Sequence, residues 1–183
     1  MQLSALLPRF QKHPQVKVLT RLIDERQPSI YCEGMQASSA PVCFAVAAMQ
    51  AGRKCVYMVV LNDEEEAGYF YHDLLQLVGE EHAVFLPSGY RRAVKYGQRD
   101  AANEILRTDV ISRLSSYAGE SPLFVVSFPT ALAERVASGE TLKENTVEIE
   151  ESKEYDVTEL TERLKDLGFH RRDYVYEPGE YAV

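Results

Sequence analysis

Four short apolar runs organise this chain: SIYC (29–32), KCVYMVVL (54–61), HAVFLPS (82–88) and PLFVVSF (122–128). Each is separated from the next by residues with helical periodicity. Apolar runs of this length suit strands buried on both faces, and strands that alternate with helices are joined by crossovers that leave them parallel. The expected fold is therefore α/β, an open and mostly parallel sheet of the RecA-like (P-loop NTPase-like) or Rossmann-like kind. The predicted helices are a short one interrupted at Pro8, VKVLTRLIDER (16–26), a segment over 41–50 closed by Gly52, and residues 62–79. RDAANEILRTDVISRLSSY (99–117) and TALAERVA (130–137) complete the set.

In the 62–79 helix, Asn62 is the expected cap and Glu65 the expected completion of its capping box. Ala67, Phe70, Tyr71, Leu74, Leu75 and Val78 recur at the spacing that turns one face inward. The acidic run 63–66 then sits on the positive end of the helix dipole, which explains it without a metal.

The pattern changes after Gly139. NTVEIEE (145–151) alternates like a half-exposed strand, and DVTELTERLKDLG (156–168) reads as a helix with Asp156 and Glu159 as its capping box and Gly168 as its stop. RDYVYEPGEYAV (172–183) then reads as strand, Pro178-Gly179 turn and strand, with Tyr174 and Tyr176 on one face and Val175 on the other. Two domains are expected, 1–140 and a truncated α+β module over 141–183. The final strand has no visible end, so the chain is expected to be part of a longer protein.

Composition narrows the function classes. No run approaches the roughly 18 apolar residues of a membrane span, and the start lacks the parts of a signal peptide, so a cytoplasmic protein without membrane contact is expected. The three cysteines, Cys32, Cys43 and Cys55, lack the paired spacing of zinc or disulfide frameworks and are expected to be buried thiols. A formal charge of −8 argues against a nucleic-acid clamp made by the whole chain and favours a protein partner.

The candidate sites follow from this frame. EGMQASSAPVCFAVAA (33–48) lies between a strand and a helix, where a phosphate loop belongs. A working loop, GxxxxGK[ST], needs a second Gly, a Lys for the β and γ phosphates and a hydroxyl for magnesium. Counted from Gly34, those positions hold Ser39, Ala40 and Pro41. The form survives, with Ser38 or Ser39 as cap and Pro41 in the first turn, but tight ATP binding and hydrolysis are not expected. A small anion at the helix start is the most such a loop retains.

The four histidines form no HxH or HxxxH pair, and no nucleophile has an identifiable base, so no catalytic residue or metal site is assigned. GYRRAVKYGQR (89–99) combines Tyr90, Arg91, Arg92, Lys95, Tyr96 and Arg99, types that contact nucleic-acid backbones and stack on bases. Arg171 and Arg172 next to Tyr174 and Tyr176 have the composition of an interface hot spot.

Taken together, the unusable loop YCEGMQASSAP, FLPS after the third apolar run, ANEILRTDVISRL, VVSFPTAL and above all LKDLGFHRRDYVYEPGEYAV resemble one family. It is the N-terminal module of bacterial transcription-repair coupling factors (Mfd), itself similar to the excision-repair protein UvrB. The resemblance runs from about Ser29 to the end. It implies a non-catalytic adaptor that recruits UvrA to a stalled RNA polymerase in nucleotide excision repair. ATP and Mg²⁺ would serve later motor domains, which would also meet RNA polymerase and DNA. Domain 1–140 would correspond to UvrB domain 1a and 141–183 to the start of the UvrA-docking domain 2. Arg171, Gly179, Glu180 and Tyr181 match the family's partner-binding segment, and Arg172 lies beside them. The family's next Arg-Gly pair would begin at position 184. The basic loop 89–99 departs from the family's acidic and aromatic pattern, and it is too short for the DNA hairpin of UvrB. An atypical NTPase and a nucleic-acid module using Tyr90 to Arg99 are the alternative readings.

Overall fold

The computed structural model describes residues 7–90, 100–176 and 179–183. The chain divides into two compact units, Met1–Val136 and Ala137–Val183.

The first unit is mixed α/β. Among the described residues its elements are α1 (Leu7–Gln11), α2 (Pro14–Asp24), α3 (Ser39–Gln50), β1 (Val56–Val60), α4 (Glu64–Val78), β2 (Ala83–Phe85), α5 (Ala101–Ser115), β3 (Leu123–Ser127) and α6 (Pro129–Leu132). The three strands form one parallel sheet in the order β1-β3-β2, with Met58 opposite Val125 and Val84 opposite Val125 on the other side. β3, apolar but for Ser127, takes the centre and is buried throughout.

The pleat divides the core. Phe124 and Val126 join Tyr57, Val59 and Phe85 on the face covered by α1 to α4, where Tyr57 stacks on Phe124 at 5.4 Å and Phe44 meets both rings edge-on. Val125 and Leu123 point the other way, against Val84, Leu86 and Val110 of α5. Helix α3 is apolar all round because it lies among other helices. Ala45, Ala47 and Ala48 are buried in it and let neighbouring backbones come close.

Three sequence expectations are corrected here. Residues 29–32 form no strand: β1 and β2 already occupy both ladder sides of β3, and this short segment has only an outer edge to reach. β1 is itself an edge strand, so its apolar run is not buried on both faces, and Met58 and Val60 are exposed. The cysteines are likewise less buried than expected. Cys32 is exposed because its segment is unpaired, while Cys43 and Cys55 are half-buried.

Helix α4 starts one residue later than expected. Asp63 is the cap, accepting the Glu66 N–H at 2.9 Å, and Glu66 reaches back to the Asn62 side-chain amide at 2.8 Å. The Asp63 carboxylate reaches the N3 amide, and Asn62 binds the returning Glu66 carboxylate.

In the second unit, α7 (Gly139–Glu144) precedes α8 (Val157–Asp166), β4 (His170–Arg171) and β5 (Glu180–Tyr181). The expected strand over 145–151 is absent. Ser138 caps α7 instead, and no ladder partner faces the alternating residues that follow. Helix α8 begins at Asp156, which accepts the N–H groups of Thr158 and Glu159. The chain leaves this helix through Gly168 at φ +85°.

The expected antiparallel hairpin is also overturned. β4 and β5 pair in parallel, His170 opposite Glu180 and Arg171 opposite Tyr181. A two-residue turn reverses direction and so makes only antiparallel pairs. Pro178 of the expected turn lies outside the described residues. Tyr174, Val175 and Tyr176 lie in a loop, and all three are exposed, with no inner face.

Candidate functional site

The loop that occupies the place of a phosphate loop bonds Gln36 and Ser39 to each other. Gly34 and Ala37 both take positive φ, and the chain turns at Gln36 into α3. Ser39 Oγ accepts the Gln36 N–H at 2.8 Å and donates to the Gln36 carbonyl at 2.7 Å. The Ser39 N–H returns to that same carbonyl, the Val42 N–H goes to Ser38 O, and Pro41 has none. Ser38 stands at the N-cap without a side-chain bond. Of Ser39, Ala40 and Pro41, the first helical residues, only Ala40 keeps its N–H for an anion, whereas a phosphate cradle needs several convergent donors.

Beside this loop a cavity of about 600 Å³ is lined by Phe10, Val16, Leu19, Ile30 and Met35, with Gln15 and Glu33 among its polar groups. Cys32 and Cys43 also line it, and burial followed by the nearby Cys32 pushes the Cys43 thiol up. Among the described residues the lining includes His13 but no Lys or Arg to pair with a phosphate.

A second cluster lies at the carboxyl ends of β2 and β3. Arg107 on α5 is 5% exposed, and its Nη1 donates to the carbonyls of Pro87 (2.6 Å) and Ala131 (3.2 Å) and sits 3.3 Å from Glu134 Oε2. Glu134 in turn accepts the hydroxyl of Ser88 and the Gly89 N–H. Asn103 Nδ2 holds the Ser88 carbonyl, and the Asp100 N–H donates to Gly89 O. These bonds tie residues 87–89 to residue 100, the two roots of the basic segment. Of its candidate nucleic-acid contacts Tyr90 is exposed, and Arg91, Arg92, Lys95, Tyr96 and Arg99 lie outside the described residues. Sequence reading did not single out Arg107 or Glu134. The one available signal was a cation on the inward side of an otherwise apolar helix face.

The third cluster is in the second unit. Of the five residues assigned to partner binding, Arg171, Arg172 and Gly179 are exposed and Tyr181 is buried. Gly179, at φ +91°, gives its carbonyl to the His170 N–H. The Glu180 side chain is 16% exposed, and its carboxylate takes Arg172 Nε at 3.0 Å and the Tyr176 N–H at 3.2 Å. Outside that pin stand Tyr174 at 71% and Tyr176 at 84% exposure, their ring centres 6.5 Å apart.

Among the described residues no set of three or more His, Cys, Asp or Glu side chains is placed to hold a metal ion, and no helix is long and apolar enough to cross a membrane. In comparisons with known proteins, no family model matches the chain and no curated protein matches its sequence.

Proposed function

We propose that this chain is the N-terminal, UvrB-like part of a bacterial transcription-repair coupling factor, and that it serves as a cytoplasmic adaptor recruiting UvrA through the second unit. The observation that carries this reading is the exposed Tyr174-Val175-Tyr176 loop beside Arg171 and Arg172. Large aromatic side chains left in water next to arginines have the composition of interface hot spots. The first unit is then a RecA-like domain that keeps the loop and helix of a nucleotide site without the strand before them or its chemistry. The internally satisfied loop at Gln36 and Ser39 supports that, as does the absence of Lys at position 40. On this reading ATP and Mg²⁺ act in other domains of the factor, as do the contacts with RNA polymerase and DNA.

Calorimetric titration of UvrA into the factor that bears this chain tests the proposal. Saturable binding lost on Tyr174→Ala/Tyr176→Ala is expected, and no binding by the unchanged factor refutes it. Titrating the chain with a fluorescent ATP analogue separates the adaptor from an atypical NTPase. Mg²⁺-dependent binding at about micromolar levels overturns the reading of Ala40 and Pro41.

A nucleic-acid module working through Tyr90, Arg91, Arg92 and Lys95 is the second reading, favoured by the polar bonds that hold the roots of that segment together. Arg91→Ala/Arg92→Ala should then weaken DNA binding and flatten its salt dependence. Absence of DNA binding by the unchanged chain at low salt removes this reading.

A further inference from the structure

We infer that Glu180 is a positioning residue: its carboxylate shapes the 173–176 loop, and Tyr174 and Tyr176 are the side chains that enter the partner. The inference rests on the adaptor reading and assigns the roles within its docking site differently from the sequence motif, which places Glu180 among the contacts.

Three observations carry it. The two Glu180 bonds are made within the unit, to the Arg172 guanidinium and the Tyr176 amide, and the side chain is mostly covered. A mostly covered carboxylate that already holds a guanidinium and a backbone N–H is poorly placed to reach a partner as well. Those bonds also span the loop from both sides, since Arg172 precedes the tyrosines and Tyr176 is one of them. Glu180 is itself held in β5, whose neighbour Tyr181 is buried. The tyrosines, in contrast, expose most of their surface. Holding such a loop in advance lowers the ordering cost of binding, which is how a residue that never touches the partner gains influence on affinity.

Charge identifies the kind of surface the loop enters. Residues 137–183 hold 13 Asp and Glu against 6 Lys and Arg, so most of the chain's net charge of −8 lies in this unit. A complementary partner is a protein surface with an apolar cleft for two tyrosine rings and a basic rim, and their association should weaken as salt is raised.

A double-mutant cycle tests the assignment, with UvrA binding measured for the factor bearing this chain, for Glu180→Gln, for Tyr174→Ala/Tyr176→Ala and for the combination. The tyrosine pair should lose roughly tenfold or more in affinity. Glu180→Gln should lose about tenfold in the unchanged background and nothing further once the tyrosines are gone. In the free protein, Glu180→Gln should speed hydrogen exchange at the Tyr176 amide and leave the amides of α8 as they were, which separates loop release from unfolding of the unit. Additive losses mean that Glu180 touches the partner and overturn the inference. An unchanged affinity for Glu180→Gln, or an unchanged Tyr176 exchange rate, overturns it as well. If the unchanged factor does not bind UvrA, the adaptor reading falls and this inference falls with it.

Discussion

Removing Glu134 should cost the first unit more than its position beyond a four-residue helix suggests. Its carboxylate is the counter-charge of Arg107, whose side chain is 6% exposed, and it also accepts from Ser88 and Gly89. Glu134→Ala leaves the guanidinium buried with the Pro87 and Ala131 carbonyls but without its Glu134 counter-charge. One guanidinium nitrogen, Nη2, already has no hydrogen-bond partner. Breaking a buried pair from one side costs about 3–5 kcal/mol, because an uncompensated charge stays behind. Two further donors lose their acceptor, but they share the relaxation, so the total is expected within that range. Replacing both ends, Arg107→Leu/Glu134→Leu, removes the stranded charge and should recover roughly 1–4 kcal/mol of the loss. Urea unfolding followed by far-UV circular dichroism is the assay, since the chain has no Trp. A Glu134→Ala loss below about 1 kcal/mol, or a double variant less stable than that single variant, refutes the view that the pair is a buried, mutually dependent unit.

Three further outcomes are expected. Burial first, then the Cys55 side chain, pushes the Tyr57 hydroxyl up to about 12. A raised acid pKa in the folded state means stability present below the unfolded value and lost as pH climbs through the folded one. Thermal stability should therefore fall between about pH 10 and 12, and Tyr57→Phe should blunt that fall. Asp156 behaves oppositely: the amides of Glu159 and then Thr158 hold its carboxyl below the usual range, so the α8 cap is present at neutral pH and lost as acid protonates it. Asp156→Asn should remove this part of the acid dependence of helicity, seen at 222 nm by circular dichroism. Gly168 has φ +85° and open space where a Cβ would stand. Gly168→Ala should accordingly destabilise the second unit by about 1–2 kcal/mol through backbone strain alone, and an unchanged melting temperature would refute that cause.

The apolar runs over 54–61, 82–88 and 122–128 and the helices between them could be read from residue order, because strand and helix periodicities are local properties of side chains. The Asp156 cap and the Gly168 stop were legible for the same reason. So was the loss of phosphate chemistry at Ser39, Ala40 and Pro41, since a missing Lys or hydroxyl is missing in any fold. That this loop also turns its own Ser39 hydroxyl onto Gln36 depends on backbone angles at Gly34 and Ala37, which residue types alone leave open.

Tertiary packing decided the rest. An apolar run signals burial but not its place in a sheet, so β1 was expected to be covered on both faces and instead stands at an edge, with residues 29–32 left unpaired. The RDYVYEPGEYAV segment carries hairpin residues, yet Glu180 bonds back to Arg172 and Tyr176, and the strands on either side pair in parallel. The same bonds separate Glu180 from the tyrosines it sits beside in sequence. Arg107 and Glu134 meet only because parallel strands bring the ends of β2 and β3 together, and no spacing rule links an α5 residue to one beyond α6. Local order thus determined which elements and which lost chemistry this protein has. Which polar groups became partners was settled by contacts between residues far apart in the chain, whose energies exist only once the elements have packed.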